Sequence, residues 1–201
     1  MIKAIIFDLG GVILDMKPLL EKAVRIFHPS DKDKFWKEIN EESITLAKGE
    51  ITLLEFWKKI AKNYNRKISD EQLRKLWLED YEELTSLEED VWRIVQSLRN
   101  NYKIGMISNT INEHVRINKK LGRYKFFDVV ILSNEVKLTK DEKEIFLLAT
   151  KKLRVKPEEC IFIDDVERFV DVAKSVGMKT IIFKSPAQLN ESLRSYSLKI
   201  D

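Results

Sequence analysis

Asp8 stands at the end of an apolar run, Ile2 to Phe7, and Gly10 and Gly11 follow it almost at once. A carboxylate carried by a buried strand to a turn that can wrap an anion suits nucleophilic attack beside a phosphate. A second pair of acids, Asp164 and Asp165, closes the apolar run that begins at Cys160. Adjacent like charges in such a place are costly unless a cation or a lysine neutralises them. Asp8 with one of the pair supplies the few carboxylate oxygens that Mg²⁺ takes alongside substrate phosphate and water. Read without a ligand, the same residues are a turn cap and a helix N-cap with a first-turn acid. Ser108 and Asn109, in "KIGMISNT", offer a hydroxyl and helix-start N–H groups to a phosphate, or only an N-cap. Lys140 carries no weight alone in a chain with 36 Lys and Arg. It is, however, the lysine nearest that edge, placed to neutralise both a phosphate and Asp8.

These groups need a scaffold that brings strand ends together. Five short apolar runs read as buried strands: Ile2–Asp8, Lys103–Asn109, Phe127–Ser133, Cys160–Asp165 and Lys179–Phe183. Both parities of each are apolar, as in a parallel sheet covered on both faces. Helical patterns separate the last four. Val166, Phe169, Val170 and Ala173 form one stripe with Gly177 as C-terminal cap, and Thr139 with Glu142 forms a capping box before Ile145, Leu148 and Ala149. Alternating strand and helix predicts an α/β, Rossmann-like, doubly wound parallel sheet. Such sheets bind ligands beyond the carboxyl ends of their strands, which is where all the residues above converge.

Residues 16–85 have no convincing strand. Ser30, Thr52 and Ser69 each precede a helical pattern with an acid or amide three residues on, which predicts a bundle of about four inserted helices. The domains expected are thus an α/β core of 1–15 and 86–201 and a helical cap of 16–85. The insertion holds 14 basic and 14 acidic residues, which disfavours a polyanion groove there. Between Arg116 and Lys156 there are 12 basic and 5 acidic residues, read as a solvated face rather than a nucleic-acid surface. The single cysteine, Cys160, excludes an internal disulfide and a thiolate metal cluster, and reads as a packing residue. The absence of a signal-like or membrane-spanning run predicts a cytoplasmic protein with no membrane partner. His28 and His114 fall on no motif. Trp36, Trp57, Trp77 and Trp92 fall on helical patterns, where core packing is the simpler reading than substrate stacking.

Taken in order, the motifs resemble those of the haloacid dehalogenase-like hydrolases. "FDLGGVILD" matches the first, "ISNT" the second, Lys140 in "EVKLTKDEKEIF" the third and "FIDD" the fourth, and "AKGEITLLEFW", Ala47–Trp57, resembles cap helices of the sugar-phosphatase and epoxide-hydrolase N-terminal-domain branch. The resemblance spans nearly the whole chain. It implies a Mg²⁺-dependent phosphohydrolase of a small phosphorylated metabolite, working as monomer or homodimer. Asp8 would form an aspartyl-phosphate, Asp165 would ligate Mg²⁺ with Asp8 and the Gly10 carbonyl, and Asp164 would orient the metal's surroundings or the lysine. Leu9 and Gly10 N–H groups, Ser108, Asn109 and Lys140 would hold the phosphoryl oxygens.

Two residues depart from the pattern. Gly10 stands where phosphatases of the family usually carry the Asp that protonates the leaving group, a role worth roughly 10²–10⁴ in rate. Asp141 stands where proline usually follows the lysine and adds a negative charge near the site. With no Asp at 10, good leaving groups such as anomeric sugar phosphates or aryl phosphates are the expected substrates. Asp15 is the nearest spare carboxylate, though a hinge role is the simpler reading of it. A 2-haloacid dehalogenase and a non-catalytic binding protein of the same fold remain as alternatives, and the Asp164–Asp165 pair favours the metal-dependent branch.

Overall fold

The computed structural model describes residues 1–199. Strand β1 (Ala4–Phe7) is buried throughout. After it come β2 (Leu14–Asp15) and a run of helices: α1 (Lys17–Phe27), α2 (Lys32–Glu42), one-turn α3 (Ile44–Ala47), α4 (Leu53–Asn63) and α5 (Asp70–Arg74). A π-helical turn, Lys75–Glu79, continues α5 into α6 (Asp80–Leu84). The chain returns through β3 (Ser86–Leu87), which pairs antiparallel with β2 and so ties the two ends of the insertion together. The inserted helices close on an apolar cluster of their own that includes Phe27, Phe35, Phe56, Trp57, Leu73 and Trp77.

Local signals explain most helix starts. Thr52 with Glu55 and Ser69 with Gln72 form complete capping boxes, as expected from their spacing. Ser30 does not cap α2. Asp31, one residue later, has the extended backbone and accepts from the Lys34 N–H.

The remainder alternates helix and strand: α7 (Glu89–Leu98), β4 (Lys103–Ser108), α8 (Asn112–Lys120), β5 (Val129–Leu132), α9 (Ser133–Val136), α10 (Lys143–Leu153), β6 (Cys160–Asp164), α11 (Glu167–Ser175), β7 (Lys179–Ile182) and α12 (Pro186–Ser195). The five long strands form one parallel sheet in the order β5-β4-β1-β6-β7, the α/β architecture predicted. Alternate residues of β1 serve opposite faces. Ile5 and Phe7 pack with Val91, Val95, Leu189 and Leu193 of α7 and α12. Ala4 and Ile6 pack with Ile145, Phe146, Phe169 and Ala173 of α10 and α11. Helix α11 ends before Gly177, whose φ of 95° is the left-handed conformation a C-terminal glycine provides.

Two further expectations fail locally. Thr139 and Glu142 do bond, the Thr139 N–H donating to Glu142 Oε2 at 2.9 Å, but in the turn before α10, which begins only at Lys143. Ser108 ends β4 and caps nothing, since α8 begins at Asn112 with Ile111 at its N-cap. Among the described residues no helix is long and apolar enough to cross a membrane.

Candidate active site

Register in the sheet assembles the floor of the site. Phe7 pairs with Met106 on one side and Ile163 on the other, so the next residues of β1, β4 and β6 emerge together at their carboxyl ends. The Asp8 N–H donates to the Ile163 carbonyl at 2.9 Å and extends the pairing by one bond. Asp8 and Asp164 are thereby held side by side. Lys140 reaches them from the turn before α10. Its Nζ lies 2.8 Å from Asp8 Oδ1 and 2.7 Å from Asp164 Oδ2. The Lys140 N–H donates to Asn109 Oδ1 at 3.0 Å, which joins the loops after β4 and β5. Asp164 is fully engaged, because its Oδ1 accepts from the Val166 N–H at 2.9 Å. Ser108 is buried at the end of β4.

The charges do not cancel. Asp8, Asp164 and Asp165 each place a carboxylate oxygen within 4.8 Å of the others, against one lysine. Burial pushes the Asp8 carboxyl up to about 7, Lys140 opposing this while Asp164 and Asp165 add to it. Asp165 is open to solvent on one side yet crowded by protein on the rest. Burial and the charge of Asp164 push it up to about 6. Lys140 loses hydration, which would lower its pKa, but the two carboxylates outweigh that and hold it above its usual value. An all-oxygen donor set with excess negative charge fits a hard divalent cation of Mg²⁺ type.

Glycine is required at position 11 and not at position 10. Gly11 has φ of 89°, and a Cβ there would lie 2.3 Å from Asp165 Oδ2. A Cβ on Gly10 would meet only Met16, at 3.6 Å, an ordinary contact. Asp15, the spare carboxylate, accepts from the Lys17 N–H at 2.9 Å, beside the β2–β3 pair, and does not line the cavity over Asp8. The charge of Asp141 is met by Arg168, with Nε 2.9 Å from Asp141 Oδ1.

A cavity of about 370 Å³ stands over Asp8, Gly10, Ser108, Asn109, Lys140 and Asp165, roofed by the inserted helices. Trp36, Trp57 and Trp77 line it. Trp57 and Trp77 belong to the apolar cluster as well, so for them packing and cavity wall coincide. Trp92, on α7, instead packs edge-on against Phe126. His114, which falls on no sequence motif, also lines the cavity. Its ring stacks on Tyr81 with centroids 3.6 Å apart, and its Nε2 lies 2.8 Å from the Trp77 carbonyl oxygen. Burial lowers its pKa to about 4, so the ring is neutral near pH 7 and Nε2 donates to that carbonyl. Its position in the first turn after motif "ISNT" was the only available signal. A larger groove of about 1280 Å³ lies at the opposite, amino ends of the strands, lined by Lys3, Lys103, Val129 and Lys179, and holds none of these groups.

Three comparisons with known proteins find relatives of this chain. The pattern of the haloacid dehalogenase-like hydrolases matches residues 2–177. The chain is 28% identical over 185 residues to a phosphorylated carbohydrates phosphatase of Thermotoga maritima, covering 89% of this chain and 83% of that protein. It is 28% identical over 207 residues to a D-ribitol-5-phosphate phosphatase of Bacteroides thetaiotaomicron, covering 96% and 97%. A magnesium complex of a family enzyme from Bacteroides thetaiotaomicron superposes with a TM-score of 0.70 at 28% identity, covering 96% of this chain and 98% of that one.

Proposed function

We propose that this chain, which belongs to the haloacid dehalogenase-like hydrolase family, is a Mg²⁺-dependent phosphatase of a small phosphorylated metabolite. The observation that carries the reading is the cluster of Asp8, Lys140, Asp164 and Asp165 at the carboxyl ends of the strands, beneath a cavity of about 370 Å³. The named activities of the relatives from Thermotoga maritima and Bacteroides thetaiotaomicron support the same chemistry.

Lys140 holds Asp8 Oδ1 and leaves Oδ2 as the attacking atom. Oδ2 forms the bond to phosphorus while the ester oxygen departs with its electron pair, giving an aspartyl-phosphate and an alcohol or its anion. Water then attacks phosphorus, the acyl phosphate P–O bond breaks, and Asp8 is restored with release of inorganic phosphate. Lys140, the Ser108 hydroxyl and the N–H groups of Leu9 and Gly10 hold the phosphoryl oxygens, and Asn109 positions the lysine loop. Asp8, Asp165 and the Gly10 carbonyl would hold Mg²⁺, with Asp164 keeping Lys140 in place. Bound Mg²⁺ would neutralise the paired carboxylates and the phosphate. Residues 16–85 act as a cap domain that excludes water. Gly10 supplies no proton, so the reading favours esters of good leaving groups, aryl and anomeric sugar phosphates among them.

Phosphate release from a panel of monoesters tests the reading. Release that requires Mg²⁺, stops on chelation and disappears in Asp8→Asn is the expected result. Halide release from 2-haloacids that survives a chelator would replace it with the dehalogenase reading.

A further inference from the structure

We infer that Arg123 is a positioning residue. It touches no reacting atom, but it fixes the Tyr81–His114 wall of the cavity against which the leaving group of the substrate lies. The inference rests on the phosphatase reading and adds a residue to it.

The first observation is a seam of hydrogen bonds between the insertion and α8. Trp77, Tyr81 and Thr85 follow at four-residue spacing along the helical run that ends the insertion. Each meets a polar partner on α8 or in the turn after it. The Trp77 carbonyl is taken by His114, the Tyr81 hydroxyl accepts from Asn118 Nδ2 at 2.9 Å, and Thr85 meets Arg123. Tyr81, Thr85, Asn118 and Arg123 are all buried. Tyr81 and His114 line the cavity over Asp8, with their rings stacked. The seam is the hidden side of that wall.

The second observation is what closes the seam. Arg123 Nη1 donates to Thr85 Oγ1 and to Asn118 Oδ1, both at 2.9 Å, and Nη2 donates to the Thr85 carbonyl at 2.5 Å. The Thr85 hydroxyl passes the restraint on, donating to the Tyr81 carbonyl at 2.6 Å. A hydroxyl, an amide oxygen and a backbone carbonyl converge on one guanidinium, the side chain with a rigid fork of donors. Among the described residues Arg123 forms no ion pair, and Glu82, whose charge reaches it, is held by Lys120 at 2.6 Å. Apolar side chains of similar volume often serve stability as well as buried charged groups do, or better. Stability alone does not account for Arg123. Holding the return of the insertion, Tyr81 and α8 in one arrangement does.

The test compares two ligands. Phenyl phosphate places its ring at the wall, whereas inorganic phosphate reaches the floor alone. Arg123→Met keeps the length of the side chain and removes its donors. KM for phenyl phosphate should rise about tenfold, while the inhibition constant of inorganic phosphate stays within about twofold of wild type. Arg123→Lys, which keeps the charge without the fork, should fall between the two enzymes, and it is read in the same way if Arg123→Met fails to fold. A KM that stays put, or a KM and an inhibition constant that rise together, overturns the inference and leaves the phosphatase reading standing. Absence of phosphate release from wild type would defeat that reading instead. The wall is then followed without turnover, through the ring of His114, one of two histidines in the chain. In Arg123→Lys, where the charge is kept and the wall is freed, its pKa by NMR should move from about 4 to about 5 or above as the ring gains water. An unchanged titration overturns the inference.

Discussion

Gly10 has room for a side chain that it does not carry. Its backbone is not left-handed, and the atoms a Cβ would meet belong to the flexible side chain of Met16. Gly10→Asp should therefore fold normally and restore a proton donor beside Asp8. Rates on alkyl phosphates are expected to rise by roughly 10²-fold or more, with little change on aryl phosphates, in steady-state phosphate release. No gain on any alkyl ester would show that the missing acid does not limit this enzyme. Gly11 is the opposite case, needing both a positive φ and the space that Asp165 occupies. Gly11→Ala should cost roughly 1–2 kcal/mol in urea unfolding and weaken Mg²⁺ binding by about tenfold or more in calorimetry. The acids of the floor were legible in the sequence because each closes an apolar run at a strand end, whereas Lys140 was legible only through its nearness to that edge. The different demands on two neighbouring glycines were not, since only the folded chain places Asp165 over one of them.

Among the elements, the helix from Asp70 to Leu84 repays attention because its π-helical turn sets the Trp77 carbonyl against His114. The partly buried imidazole has its pKa pushed down to about 4, mainly by burial, with Arg123 adding to the effect and the Trp77 carbonyl opposing it. In the unfolded chain it titrates near the ordinary value of about 6.5. Between those values the unfolded chain holds a proton that the folded chain does not, so stability falls as pH drops below about 6.5 and levels off near 4. His114→Gln retains an N–H donor for the carbonyl and removes the titration. The stability lost between pH 7 and 4.5 should shrink by roughly 2 kcal/mol relative to wild type, read from urea unfolding at the two pH values. An unchanged loss would place the titrating group elsewhere. Elements of this kind are legible only in part. Apolar runs gave all five strands of the sheet, because strands buried on both faces have little choice of residue. Capping boxes gave the starts of α4 and α5, since the bonds are local. The π turn left no local signature, because its carbonyl partner lies 37 residues away.

At the scale of the molecule, the roof is held over the floor by contacts that no motif encodes. The Ser133 hydroxyl donates to the Ala47 carbonyl at 2.6 Å, and Lys137 Nζ donates to the Lys48 carbonyl at 2.8 Å. Both carbonyls lie at the end of α3, where a helix leaves its last acceptors unpaired. On the other side the β2–β3 pair joins the ends of the insertion. The order of the motifs made the α/β layer and the position of the insertion readable. The closure did not read out, because its donors and acceptors are 86 and 89 residues apart and half of them are backbone. Roof and floor together imply covalent phosphoryl transfer through Asp8, and quenching the enzyme in acid during steady turnover would trap the phosphorylated form. Peptide mass mapping should then find one phosphoryl group on the segment containing Asp8, removable by hydroxylamine and absent from Asp8→Asn. Steady phosphate release with no phosphoryl group on Asp8, or undiminished release by Asp8→Asn, would rule out covalent transfer through Asp8.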